Sequence, residues 1–71
     1  MSSFKPREVV RILEKLGFIA KHQTGSHLIM YRSSDKKIIP VPIHKKDVRY
    51  GLLKSIIKQA NSTEEEFIKL K

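Results

Sequence analysis

Three short strand-like runs, joined by connections of only a few residues, leave this chain almost no topological freedom. Residues 18–23, 26–32 and 38–43 each suit a strand. Thr24-Gly25 is a tight-turn signal between the first two, and the polar stretch 33–37 turns the chain between the second and third. Parallel neighbours would need a crossover of roughly a dozen residues, so the three runs must form an antiparallel meander. Pro40 and Pro42 withhold two ladder donors, which assigns the third run to an edge. The second run has two alternating sets, His27/Ile29/Tyr31 and Leu28/Met30/Arg32. Both are partly apolar, and the pattern leaves open which one faces a core.

Helical patterns flank the meander. Pro6 suits the first position of a helix, where a missing N–H costs nothing. Val9, Ile12, Leu13 and Leu16 follow at helical spacing, with Arg7, Glu8, Arg11, Glu14 and Lys15 on the opposite side. Gly17 ends the pattern, and Phe18 can fold back on the last turn, so the spacing predicts a helix over 6–16. Asp47 is the predicted cap of a second helix reaching Ala60, with Leu52, Leu53, Ile56, Ile57 and Ala60 as its buried stripe. Gly51 within it signals either a close approach of backbone or ligand, or a tolerated weakness of about 1 kcal/mol relative to Ala. Ser62 with Glu65 reads as a capping box for a short last helix carrying Phe67, Ile68 and Leu70. The expected fold is α+β: helix, three-stranded meander, helix, short helix, with the helices on one face of the sheet and the other face open.

Size and composition exclude several classes of function. A chain of 71 residues is expected to form one domain over 1–71. At this length it has no room for a deep cofactor cleft, and no cofactor is expected. It has no cysteine, hence neither a disulfide framework nor a thiolate metal site. No apolar run approaches the roughly 20 residues of a membrane span, and no signal-peptide core is evident, so a soluble cytoplasmic protein is expected.

Charge points to a class of partner. The chain holds 15 Lys+Arg against 7 Asp+Glu, a net charge of +8. Nine of those basic groups fall within residues 21–58: Lys21, Arg32, Lys36, Lys37, Lys45, Lys46, Arg49, Lys54 and Lys58. Only Asp35 and Asp47 oppose them there, so this middle segment carries +7 of the total. A concentrated basic field favours a polyanion, most simply a nucleic acid. The bland alternative is a basic solvated surface, and the Lys54/Lys58 pair by itself is most often only that.

The meander topology gathers the three histidines. His22 lies near the end of the first strand, His27 two residues past the turn glycine, and His44 between the third strand and the second helix. All three are expected at one end of the sheet, beside Lys45, Lys46 and the start of the second helix, whose free N–H groups attract phosphate. Their spacings match no established zinc pattern. Imidazole titrates near neutrality and can take a proton from an RNA 2′-hydroxyl or give one to a leaving 5′-oxygen. Lysine or arginine can stabilise the charge that builds on the phosphate oxygens. A histidine at a strand end is nonetheless more often an ordinary surface residue. No Ser-His-Asp arrangement and no phosphate-binding glycine-rich loop is present.

These residues resemble a known family. Gly25-Ser26-His27 opening a strand is similar to the Gly-Ser-His signature of HicA-type toxins, and Val41-Pro42-Ile43-His44 to their Val-Pro-x-His segment. The helix Gly51-Leu52-Leu53-Lys54-Ser55-Ile56-Ile57-Lys58-Gln59-Ala60 resembles the one that follows in the family. Glu65-Glu66-Phe67 is similar to its C-terminal end, and the early Val9-Val10-x-Ile12-Leu13 segment with Gly17-Phe18 also fits. The resemblance implies a double-stranded-RNA-binding-domain-like fold and an mRNA interferase, a ribonuclease that needs no metal. It implies that His27 is catalytic, as general acid or base, and that a HicB-type antitoxin covers the active site. On this reading Gly25 and Ser26 shape the site. Lys21, Lys45, Lys46, Arg49 and His44 meet RNA, with His44 either touching RNA or holding the strand-to-helix turn. Lys54 and Lys58 extend the RNA path.

Two departures are visible. Leu52 stands where the family often has a threonine, and Lys45-Lys46 where it often has a glycine. The rival expectations are a non-catalytic RNA-binding module of the same fold and a structural subunit whose basic face meets an acidic protein. A DNA-binding role is disfavoured, because no helix-turn-helix spacing appears.

Overall fold

The helical stripe that starts at Pro6 becomes α1, Pro6–Lys15, in a computed structural model that describes residues 3–71. Its first turn is closed by Glu8, whose Oε1 accepts the Lys5 backbone N–H at 2.8 Å. Its end is a Schellman motif. Gly17, at φ 96°, lets Phe18 N–H reach the Leu13 carbonyl at 2.9 Å while its own N–H reaches Glu14 at 3.1 Å. This turn drives Phe18 into the core, where it is 2% exposed.

Among the described residues three strands follow: β1 (Ile19–Thr24), β2 (His27–Arg32) and β3 (Lys37–Pro42). They form an antiparallel sheet in the order β1-β2-β3, the meander that the short connections required. α2 (Tyr50–Gln59) and α3 (Glu64–Leu70) complete the α+β fold. The strands lie within one residue of the predicted runs.

Register settles what the alternation in β2 left open. Met30, opposite Ala20 and Ile39, is fully buried, and Leu28, opposite Val41, packs at the border of the core. The helices therefore cover the Leu28/Met30/Arg32 side. Val9, Ile12 and Leu13 of α1 and Leu53, Ile56 and Ile57 of α2 share one cluster with Met30, Ile39 and Val41. His27, Ile29 and Tyr31 occupy the uncovered face. Pro40 and Pro42 oppose Ile29 and His27 from an edge strand, so the missing donors fall where no ladder is needed.

Arg32 is counted in the basic field but works inside the fold. Its guanidinium stacks 4.5 Å from the centre of the Phe18 ring. It donates to the carbonyls of Leu16 at 3.0 Å and Ala60 at 3.3 Å, and so ties together the C-terminal ends of α1 and α2. At the other end of the chain, Phe67 of α3 packs edge-on against Phe4 with ring centres 6.2 Å apart, and both are fully buried.

Two predicted caps are corrected. α2 begins at Tyr50 with Arg49 as its N-cap, not at Asp47. Asp47 is instead drawn into an ion pair with Lys5 at 2.8 Å, which holds it against the start of α1. The last helix is capped by Thr63, whose Oγ1 accepts from Glu66 N–H at 3.1 Å, one residue later than the expected Ser62–Glu65 box. Ser62 Oγ donates to the Glu66 carboxylate. Two overlapping capping sequences compete here, and the one that lets Phe67 face the core prevails. Gly51 shows no close approach: a Cβ there would meet no other described atom within 4 Å.

Candidate nucleic-acid interface

The β1–β2 connection is a two-residue hairpin loop, Gly25-Ser26, closed by the pair Thr24 and His27. Gly25 sits at φ 55° and Ser26 is not left-handed, the pattern of a type II′ turn, which suits the right-handed twist of a hairpin. Glycine is needed there because a side chain would be strained at that φ. The predicted turn at Thr24-Gly25 is thus displaced by one residue, and β2 starts at His27 itself.

His27 is exposed and opens the central strand, with Thr24 on one side and Pro42 on the other. His22 lies on the same uncovered face, opposite Ile29. His44 follows two residues after Pro42 and is exposed. Ile43 N–H donates to the Ser26 carbonyl at 2.6 Å, which continues the ladder past β3 and stitches the segment leading to His44 onto the β1–β2 turn. The three histidines therefore sit at one end of the sheet, as the topology required. Among the described residues, no group of three metal-ligating side chains comes together.

Lys45 and Lys46 are exposed in the bend that follows, and Arg49 is exposed at the start of α2. This segment is anchored by Val48 N–H to the Phe4 carbonyl at 2.8 Å, by Val48 in the core and by the Lys5–Asp47 ion pair. The hydrogen bond from Lys5 holds the Asp47 carboxyl below its ordinary range, and the same bond raises the Lys5 ammonium above its own. Asp47 is thereby occupied, and the lysines beside it keep their positive field for solvent or a ligand.

Lys21 occupies the bulge of β1 between Ala20 and His22. Its ammonium lies 4.7 Å from the centre of the Tyr31 ring, which places it over the uncovered sheet face. That face also carries Ile19 and Ile38, 61% and 58% exposed, on either side of Tyr31. Lys54 and Lys58 stand elsewhere. They project from α2, in the layer on the other side of the sheet, and Lys54 lies 5.6 Å from the Tyr50 ring centre. The fold unites Gly25, Ser26, His27, His44, Lys45 and Lys46 around one end of the sheet, with Arg49 following; it holds the Lys21 ammonium over Tyr31, toward the opposite end, and sets Lys54 and Lys58 apart in the helix layer.

Sequence reading missed the contribution of α1. An open cavity of about 630 Å³ lies between the first turn of α1 and residues 43–45, and Lys5, Arg7 and Val10 line it together with Leu28, Ile43, His44 and Lys45. Helical spacing assigned Arg7 to a solvated face. Its nearness to His44 follows from a contact between distant segments that has no local signature.

Compared with known protein families, residues 6–61 match the family described as HicA toxin of bacterial toxin–antitoxin. The matched span runs from the first residue of α1 to just past α2, so α3, with Glu65-Glu66-Phe67, lies beyond it. No curated protein matches the chain at significant similarity.

Proposed function

This chain belongs to the HicA toxin family of bacterial toxin–antitoxin systems, and on that premise we propose that it is a metal-independent endoribonuclease that cuts mRNA with His27. It is a toxin of such a pair, and membership implies an antitoxin partner. We assign that partner to the HicB type and the site of action to the cytoplasm. Among the described residues no helix is long and apolar enough to cross a membrane.

The observation that carries the reading is the placement of His27. It is exposed, opens the central strand and is held by paired strands on both sides. Pairing on both sides fixes where its backbone stands, and the exposed ring can reach a phosphodiester lying at this end of the sheet, as proton transfer requires. In the proposed step, the RNA 2′-oxygen loses its proton and bonds to the adjacent phosphorus. The bond from phosphorus to the 5′-oxygen breaks, and that oxygen gains a proton. His27 serves one of these two transfers. Lys45 and Lys46 stabilise the extra negative charge on the phosphate oxygens. Lys21, Gly25, Ser26, His44 and Arg49 hold the strand on either side. Lys54 and Lys58 meet only RNA long enough to wrap onto the helix layer. A single general acid or base contributes about 10²–10⁴-fold, so turnover is slow.

The test is cleavage of an end-labelled RNA in EDTA by the natural chain and by His27→Ala. Cutting by the natural chain alone, with RNA binding retained in the variant, supports the assignment. Salt-sensitive binding by both without any cutting would leave a non-catalytic RNA-binding module in its place.

A further inference from the structure

The cavity beside α1 combines an apolar floor with a cationic rim. Its floor is apolar and half-buried, made by Val10, Leu28 and Ile43. Its rim carries Arg7, His44 and Lys45. The charged groups at its back are already engaged: Lys5 pairs with Asp47 at 2.8 Å, and Glu8 accepts the Lys5 N–H at 2.8 Å. At about 630 Å³ it falls within the range of small-ligand sites, roughly 300–1,000 Å³.

We propose that this cavity receives one unstacked nucleobase of a single-stranded RNA whose neighbouring phosphate lies at His27. The inference rests on the ribonuclease reading and adds to it a substrate class and a source of base preference. The connection between cavity and histidine is covalent and short. Leu28 on the floor follows His27 directly, and Ile43 beside it is hydrogen-bonded to Ser26. His27 faces the uncovered side and Leu28 the helix side, so an RNA strand that rounds this end of the sheet from His27 meets the cavity. Aliphatic side chains cover the faces of a base. The planar guanidinium of Arg7 and ring of His44 supply the stacking and edge contacts by which proteins hold splayed-out bases. Arg7 and Lys45 meet the flanking phosphates. A base within a duplex remains stacked and paired, and so cannot enter.

The test uses the full chain carrying His27→Ala, so that RNA stays intact, with methyl NMR signals of Val10, Leu28 and Ile43 as reporters. It is titrated with a short single-stranded RNA, with each of the four nucleoside monophosphates and with inorganic phosphate. Expected are shifts of all three methyl sets with the RNA and with at least one nucleoside monophosphate, and none with phosphate. Val10→Phe, which fills the floor, should weaken RNA binding about tenfold and alter the distribution of cut sites in the natural background. Silent methyls during RNA binding, or equal shifts with inorganic phosphate, overturn the base-pocket proposal. The two readings separate cleanly. Silent methyls with His27-dependent cutting remove the pocket and keep the nuclease, whereas shifting methyls without cutting do the reverse.

Discussion

Lys5 and Asp47, separated in sequence by α1 and the whole sheet, meet at 2.8 Å and fasten the segment after β3 to the start of α1. That contact shapes one wall of the cavity and keeps Lys45 and Lys46 beside the end of the sheet. Asp47→Asn removes the charge with little change in volume. We expect the backbone amide signals of residues 44–49 to shift and broaden, and cleavage to fall several-fold, with only a small change in melting temperature. An exposed pair contributes little to global stability, so the effect is on positioning.

The pH dependence has a definite sign. Hydrogen bonds from Arg32 hold the Asp35 carboxyl below its ordinary range, and the bond from Lys5 does the same for Asp47. A carboxyl with a depressed folded-state value contributes stability above its unfolded value and loses it as pH falls through the folded one. Melting temperature should therefore decline on acidification below the ordinary carboxylate range. Asp35→Asn should flatten that decline, and an unchanged acid slope would show that this pair is not responsible.

Arg32 joins three elements through one side chain, with a bidentate grip on Asp35 at 3.0 and 2.7 Å in addition to the carbonyls of Leu16 and Ala60. Arg32→Ala is expected to cost roughly 2–3 kcal/mol, from lost partly buried hydrogen bonds and lost packing on Phe18. Lysine cannot reproduce the planar fork, so Arg32→Lys should recover little. Urea unfolding measures both. RNA affinity per folded molecule should stay nearly unchanged, which distinguishes Arg32 from the cations of the interface.

Gly51 lies in the first turn of α2 with open space where a side chain would stand. Gly51→Ala should stabilise the chain by about 0.5–1 kcal/mol through reduced freedom of the unfolded state. Thermal melts give the answer, and destabilisation would indicate a crowded site.

Salt dependence separates the two groups of lysines. Each phosphate contact removed should reduce the slope of log affinity against log salt by about one unit or somewhat less. Lys45→Ala with Lys46→Ala should lower that slope clearly for a short RNA. Lys54→Ala with Lys58→Ala, on the helix layer, should lower it less. The reverse ranking would relocate the RNA path to α2.

By itself the sequence determined the elements and their order, because those follow from local rules. Pro6 and Gly17 bound a helix, Gly25 permits a hairpin, and short connections admit only a meander. The same rules brought His22, His27 and His44 to one end of the sheet, since a meander alternates direction at every turn. Tertiary structure decided what depends on contacts between distant segments. Both alternating sets of β2 were apolar enough to face a core, and only the packing of Met30 against Ile39 and the helices selected one. Asp47 reads locally as a helix cap, yet Lys5 is a better partner once Phe4 and Val48 have drawn the two segments together. Arg7 beside His44 is of the same kind: a neighbour created by packing, with no trace in the periodicity of either segment.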